Sequence, residues 1–460
     1  MNNTVPSFRA IFRQKLARWQ AIAGLDFHVL VTLLFRGWGI VAGGATVFLL
    51  PLWLSPTEQG YYFTFASVLA LQIFFELGLN QIVMQLVSHE VAHLTETTDG
   101  RLTGNESHLG RLSSLARLIR RWYGVSAMLF ALIGGVAGAV FFSQKGAEPM
   151  SVWLGIWVVL ICATAANLWL SPGLAVMEGC GKVGQVAHLR LVQSVLGYAG
   201  LWAVLLSGSG LWAATAVPVV SAVCTGYWLK AHGDMLRWLS SRAIDLDLEN
   251  QLRWRTDVLP LQWRIALSWA SGYLIFSLFT PMVFSHQGAV EAGRLGMALT
   301  VFSAISTIGM SWVNAKAPNF TMHISRGQRR ELNVLFKALF LRSTIVIALT
   351  CVGSVLVAWY LNQIGLPLMK RIASPSVLAV LAITTVVNSM VFSMAIYMRA
   401  HREEPMLTQS IVVGLMIAFG VYIGSIYGIF IMMFLYMLIV IIVSFPWTIW
   451  LFLKYTKRIS

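Results

Sequence analysis

Charged residues are scarce in this chain, 11% of 460 residues, and a few of them stand inside stretches that are otherwise apolar. Arg36, Arg190, Arg264 and Lys316 are such cations, and Glu76 is such an acid. A charge facing lipid near the bilayer centre costs about 2.5 kcal/mol or more, so each needs water or a partner. The chemistry open to them is binding rather than bond-making. Guanidinium and ammonium groups compensate a diphosphate as its water is removed, and Arg does so through a bidentate fork. Together, the four cations predict a ring around a cytoplasm-facing vestibule. Singly, Arg190, Arg264 and Lys316 also fit a plainer reading, in which each snorkels to headgroups from a nearby helix end. Arg36 lies deeper, roughly 12 Å into its apolar stretch at 1.5 Å per residue, and Glu76 lies roughly 16 Å in from the same side. On adjacent antiparallel helices these two meet as an ion pair or through shared water.

Uncharged polar residues follow helical spacing around the same positions. Gln72, Glu76 and Asn80 fall at i, i+4 and i+8, and Thr300, Ser303, Thr307, Ser311 and Asn314 advance in steps of three and four. Thr32, Arg36, Gly39, Gly43 and Thr46 share one face, as do Arg264, Ser268 and Ser271. Small and hydroxylated residues at this spacing are also what close helix packing uses. For Gln72, Glu76, Asn80 and Arg36 a wet cavity is the better account, because their polar groups are expensive to leave in lipid. Gln72, Asn80, Ser303, Thr307 and Asn314 could then offer hydrogen bonds to sugar hydroxyls.

The elements that must position these residues are membrane helices, each needing about 20 mostly apolar residues. Twelve stretches qualify: 27–53, 61–87, 122–143, 151–176, 186–207, 211–229, 260–284, 293–317, 340–362, 376–398, 406–425 and 428–453. Lys and Arg in the connecting segments set orientation. With the N-terminus in the cytoplasm they gather on that side, as in Arg117, Arg120 and Arg121, or Arg326, Arg329 and Arg330. Only Lys145, Arg294, Lys370 and Arg371 fall opposite. A net charge of +15 would suggest nucleic acid in a soluble protein, but here this asymmetry is its source.

The expected architecture is therefore an all-α membrane protein: about 12 transmembrane helices in two pseudo-symmetric six-helix bundles around a central cavity, with both termini cytoplasmic. Residues 1–26 form a basic amphipathic N-terminal segment, 27–229 one bundle, 230–259 a cytoplasmic interfacial linker and 260–460 the other bundle. In the first segment Phe8, Ile11, Phe12, Leu16 and Trp19 share a helix face, which suits an anchor on an anionic leaflet or a regulatory helix. Residues 88–121, rich in Ser, Thr, Gly and His, predict a mobile cytoplasmic loop. Pro172–Gly173 predicts a helix break, with Glu178 an ordinary loop acid beyond it.

An internal repeat supports the two bundles. Thr57–Gln81 lies on Val290–Asn314 without gaps, pairing Glu58 with Glu291, Gly60 with Gly293 and Gln81 with Asn314. Gln193–Ser194 and Gln409–Ser410 recur early in the fifth and eleventh stretches. Glu58 and Glu291 are each expected to cap a helix N-terminus, where the macrodipole favours a carboxylate. The four cysteines show no metal-ligand or disulfide spacing, so no cofactor or metal site is expected. The first apolar stretch is too long for a cleavable signal. The external loops are short, which argues against an enzyme with an external catalytic domain.

Leu50–Pro51–Leu52–Trp53–Leu54–Ser55, Glu58–Gln59–Gly60–Tyr61–Tyr62 and Phe75–Glu76–Leu77–Gly78–Leu79 resemble the opening of Wzx-type O-antigen flippases. These are the polysaccharide-transport branch of the multidrug/oligosaccharidyl-lipid/polysaccharide exporters. Glu291–Ala292–Gly293 resembles the matching site of the second half, and Glu76 stands where an Asp is more usual. The resemblance implies a cationic cavity of alternating access in the bacterial inner membrane. It implies export of an undecaprenyl-diphosphate-linked oligosaccharide, an O-antigen or related repeat unit, to the periplasmic leaflet. Other polysaccharide-assembly membrane proteins are the implied partners, and nucleic acid is not. A multidrug or cation antiporter of the same superfamily would have an acidic or apolar cavity instead. A membrane glycosyltransferase or polymerase would need a sizeable external loop.

Overall fold

The computed structural model describes residues 27–97, 101–241, 254, 258–401 and 405–459, and among these the side chains of all but 27–33, 36, 260, 261, 264 and 457–459. The N-terminal amphipathic segment and most of the linker lie outside the described residues, as do the side chains of Arg36 and Arg264. The first half runs α1 (Phe27–Trp53), α2 (Pro56–Glu76), α3 (Leu79–Val91), a hairpin of β1 (Leu94–Glu96) and β2 (Leu102–Gly104), α4 (Glu106–Lys145), α5 (Met150–Gly179), α6 (Val183–Leu206) and α7 (Gly210–His232). After α8 (Asp234–Ser241) the second half runs α9 (Leu259–Phe276), α10 (Phe279–Gln287), α11 (Ala289–Ser325), α12 (Arg329–Gln363), α13 (Pro375–Arg399), α14 (Leu407–Tyr427) and α15 (Ile429–Thr456).

Each apolar stretch of the sequence falls on a helix, because in lipid a helix satisfies every backbone polar group within its own segment. Among the described residues nine helices are long and apolar enough to cross a membrane, or eleven if α2–α3 and α9–α10, bent by 43° and 41°, each count as one span. Helix α1 runs over 27 residues, Phe27–Trp53.

The repeat seen in the sequence is an interface in the structure. Helices α2 and α11 pack against each other along the aligned segment, and Gly60 abuts Gly293. A Cβ on Gly60 would stand 1.9 Å from the Ala289 carbonyl oxygen, and one on Gly293 would stand 3.1 Å from the Gly60 Cα. Only bare backbone allows that approach, as at other small-residue crossings of membrane helices. The second repeat mark is a side-chain staple made twice. Gln193 Nε2 donates to the Ser221 carbonyl (3.2 Å) and Thr225 Oγ1 (2.6 Å), and Gln409 Nε2 donates to the Ser444 carbonyl (2.8 Å) and Thr448 Oγ1 (2.7 Å).

Several expectations are corrected. Residues 88–121 are not a loose loop: α3 extends to Val91, the hairpin follows with Thr95 opposite Thr103, and α4 already begins at Glu106. Glu90, 2% exposed, ties this segment together by meeting His108 Nδ1 at 2.7 Å and Arg111 Nε at 3.4 Å. Lys182 reaches Glu96 at 2.9 Å, fixing the hairpin to the α5–α6 turn. Buried charge persists there because it is paired. Helix α5 does not break at Pro172–Gly173 but runs on to Gly179, so Glu178 is a residue of its last turn rather than of a loop. In the turn beyond it, burial pushes the Cys180 thiol up to about 12 and keeps it neutral.

Helix α8 buries Met235 and Leu239. Trp254 stacks on Trp122 of α4, with centroids 4.5 Å apart.

Candidate functional site

Helix α2 organises the site. Its start is fixed by a capping box, in which Ser55 N–H donates to Glu58 Oε2 (2.8 Å) and Glu58 N–H donates to Ser55 Oγ (3.1 Å). Glu58 is thus a cap, as its position predicted. Glu291 also stands in the first turn of its helix, where the macrodipole favours it, but it makes no capping box: α11 starts on Gly288, which has no side chain to offer, and Glu291 pairs with Arg294.

Further along, α2 tightens into a 3-10 turn at Ala70–Gln72 and stops at Glu76. Leu77 and Gly78 are both left-handed, with φ of 52° and 67°. Leu77 is the only non-glycine residue with positive φ among those described, and that conformation costs about 1–2 kcal/mol. The break is braced from inside the N-terminal half. Asn80 Nδ2 donates across it to Glu76 Oε1 (2.8 Å) and also to Ser171 Oγ (3.0 Å), while the Tyr123 hydroxyl donates to Asn80 Oδ1 (2.9 Å). Asn80 is therefore committed to protein partners, and any sugar hydroxyl would compete with them. Glu76 has Asn80 as its hydrogen-bond donor; whether Arg36 joins it lies outside the described residues.

The 3-10 turn brings Gln72 to a cavity of about 540 Å³ inside the N-terminal half, with mixed polar and apolar walls. Asn167 and Ser171 of α5, Arg190 and Gln193 of α6 and Thr225 of α7 line it. Asn167 Nδ2 donates across to the Pro218 carbonyl of α7 (2.9 Å) and within its own helix to that of Ala163 (2.9 Å). Arg190 Nη2 meets Glu178 Oε1 at 3.0 Å; the cation is 47% exposed and the acid 15%, so the acid stands behind the guanidinium and leaves it open on one side. A second cavity of about 410 Å³ adjoins the first, since Ala70 lines both. Its walls come from both halves: Ile73 of α2, Trp269, Tyr273 and Phe276 of α9, and Arg399 at the end of α13.

Both cavities are shut off at the end of the molecule that carries the Ser55 and Gly288 turns. Gln59, 1% exposed, donates through Nε2 to the carbonyls of Gly293 (3.0 Å) and Arg371 (2.9 Å), both in the other half. Phe63 fills the space beside Gly296, where a Cβ would come within 2.4 Å of its ring. Tyr61 meets Phe284 of α10 edge-on, with centroids 5.1 Å apart. Aromatic pairs of this kind add about 0.5–1.5 kcal/mol each beyond area burial.

The structure thus brings Gln72 and Arg190 together. It does not bring Ser303, Thr307, Asn314 and Lys316 to either cavity: they stand exposed along α11. Ser271 is 4% exposed and packs against Gly414, and Thr46 accepts a bond from Trp202 Nε1 (3.0 Å), so these two are packing residues. Sequence reasoning missed Asn167, Ser171, Gln59, Arg399 and the Glu178 partner. A signal existed for two of them, since Thr164, Asn167 and Ser171 repeat at steps of three and four in an apolar stretch. None existed for Gln59, whose role depends on a contact 234 residues away.

No protein-family model matches the chain, and no curated protein matches it. Solved structures do. A multidrug-resistance MATE transporter of the MOP superfamily in its inward-facing conformation superposes with a TM-score of 0.61 at 14% identity, covering 94% of this chain and 98% of that one. This chain shares the fold of that structure. The lipid II flippase MurJ, in an inward closed conformation, gives a TM-score of 0.60 at 11% identity, covering 94% and 90%. A MOP transporter from Pyrococcus furiosus, described as having a binding pocket of reversed polarity, gives 0.56 at 15% identity, covering 94% and 95%. The MOP fold accounts for the two packed halves with cavities at and beside their seam. Among the described residues the chain thus combines that fold with nine to eleven helices long and apolar enough to cross a membrane.

Proposed function

We propose that this protein is a flippase that carries an undecaprenyl-diphosphate-linked oligosaccharide from the cytoplasmic to the periplasmic leaflet of the bacterial inner membrane. The observation that carries the reading is the cavity of the N-terminal half: amides, hydroxyls and the Arg190 guanidinium stand among its apolar walls, on the inner side of a tight seal between the halves. By the Lys/Arg bias the sealed end is periplasmic and both termini are cytoplasmic, so the cavity accepts from the cytoplasm. Gln72, Asn167, Gln193 and Thr225 suit sugar hydroxyls, and Arg190 suits a diphosphate, helped by Arg36 and Arg264 around the vestibule. A diphosphate would take over the open side of Arg190 while Glu178 holds the other. Parting of the α2–α11 seal, with closure at the opposite end, then exposes the headgroup to the periplasm, as alternating access requires. Glu76 belongs to this cycle as the acid at the α2 break, paired with Arg36 while the site is empty. One observation favours a second reading, export of an organic cation: Glu76 is an acid braced within the N-terminal half.

Arg36 provides the sharpest test because it is the deepest cation. In cells with no second exporter, and at native expression level, Arg36→Ala should abolish surface polysaccharide while the protein still inserts. Arg36→Lys should keep part of the activity, since the charge survives without the fork. Full polysaccharide production by the Ala variant would remove Arg36 from the substrate path. Efflux of an organic cation that depends on Glu76, without lipid-linked sugar transport, would favour the second reading.

A further inference from the structure

We propose that Arg371, with Lys370 beside it, forms an anion-binding site at the outer mouth of the seam, held shut here by Gln59 and opened when the halves part, and that it takes the diphosphate of the substrate on release. The proposal rests on the flippase reading above.

The Lys/Arg bias leaves few cations at this end: Lys145, Arg294, Lys370 and Arg371. Three of the four converge on one place. The turn after α12, whose 3-10 segment is Pro367–Arg371, folds over the start of α11, where Arg294 Nε donates to the Lys370 carbonyl (2.9 Å). The same turn crosses the seam. Leu368 and Ile372 pack against the cluster that holds Leu50 of α1, Leu54 after it and Met297 of α11. Gln59 Nε2 of α2 then donates to the Arg371 carbonyl (2.9 Å). The turn is thus an arm of the C-terminal half laid on the N-terminal half.

The charges on this arm are not balanced. Glu291 pairs with Arg294, but Lys370 and Arg371 have no salt-bridge partner among the described residues. Arg371 Nη1 is buried without a hydrogen-bond partner, and so is Gln59 Oε1. Unpaired polar groups make the closed seam costly, and water or an anion would relieve them. Both acceptors of Gln59, the Gly293 and Arg371 carbonyls, belong to the C-terminal half, so parting of the halves breaks both bonds at once. Arg294 keeps the arm on α11, so the arm travels with the C-terminal half and Arg371 emerges at the mouth. A guanidinium fork with an ammonium next to it in sequence suits a phosphate group. Arg190 would then meet the diphosphate on one side of the seal and Arg371 on the other. A phospholipid headgroup offers the same chemistry, so the test separates the two.

The full chain, with its four native cysteines replaced by alanine and Gln59→Cys added, should be labelled in phosphatidylcholine nanodiscs with small charged methanethiosulfonates. Leu368→Cys serves as the reporter if Gln59→Cys inserts poorly. Relative to free cysteine, the anionic sulfonate reagent should react about fivefold faster than the cationic ammonium reagent. Arg371→Gln should abolish that preference, and Lys145→Gln should leave it. A polyprenyl diphosphate should slow the labelling, and the same fraction of phosphatidylglycerol should not. In vesicles, Arg371→Gln should slow delivery of lipid-linked oligosaccharide about tenfold, with part of the rate kept by Arg371→Lys. No labelling at either reporter, a preference that survives Arg371→Gln, or normal delivery by that variant would overturn the proposal. So would equal protection by phosphatidylglycerol, which would mark a general headgroup site. If preference and protection hold in a chain that moves no lipid-linked sugar, the flippase reading fails and the anion site stands.

Discussion

The Gln193 and Gln409 staples have the same bonds and opposite surroundings. In the C-terminal half the staple is sealed: Gln409 is 2% exposed and Thr448 0%. In the N-terminal half Gln193 is only partly buried and lines the cavity with Arg190. The residue that matches Arg190 in the second half is Met406. The aligned helices α2 and α11 differ in the same sense. Helix α2 breaks at Leu77–Gly78, whereas α11 runs unbroken from Ala289 to Ser325 through the matching Met310–Ser311. One scaffold was thus built twice, and polarity and strain were concentrated in one copy. Strain and buried polar groups cost stability, so a fold keeps them where they serve and packs the other copy dry.

The largest expected effect tests the polarity. In vesicles containing the full chain, Arg190→Ala should slow translocation of lipid-linked oligosaccharide about tenfold or more, while Met406→Ala should change it less than about twofold. Equal slowing by both would break the comparison. The staples should separate stability from transport. Gln409→Leu leaves the buried Thr448 hydroxyl without its amide partner and should lower stability by about 1–3 kcal/mol, read as a reduced Tm in detergent, with transport per folded molecule unchanged. Gln193→Leu should cost less stability, because water can replace the amide, yet reduce transport more. The smallest effect should have opposite signs at matched positions. Leu77→Gly relieves a left-handed leucine and should gain about 1 kcal/mol. Met310→Gly removes a side chain that is 6% exposed from a straight helix and should lose more than that. Destabilisation by Leu77→Gly would show that packing of the leucine outweighs the strain.

Much of the fold was legible because one physical rule dominates it. Apolar length finds helices directly, and each predicted stretch lies on a helix or, for 61–87 and 260–284, on a bent pair of helices. The gap-free match of Thr57–Gln81 to Val290–Asn314 likewise anticipated that α2 and α11 are equivalents, and the structure adds that they are neighbours through Gly60 and Gly293. The misread segments are those whose order comes from partners far along the chain. Residues 88–121 look loose by composition, but Glu90 is held by His108 and Arg111 and the hairpin by Lys182. Pro172 looks like a break, yet the α5 helix continues past it, as membrane helices tolerate when neighbouring groups re-satisfy the backbone.

For the site, the sequence by itself determined which residue types must find a polar setting. Gln72, Glu76, Asn80 and Arg190 were marked because their polar groups are costly in lipid, a cost that depends on the residue and its depth and not on its neighbours. Tertiary structure alone decided how that cost is met. It gave Asn80 to Glu76, Ser171 and Tyr123, set Glu178 behind Arg190, left Ser303, Thr307 and Asn314 outside both cavities, and made Gln59 a clamp between the halves. Periodicity fixes which side of a helix a residue occupies. It does not fix what that side meets, which depends on how the two halves close on one another.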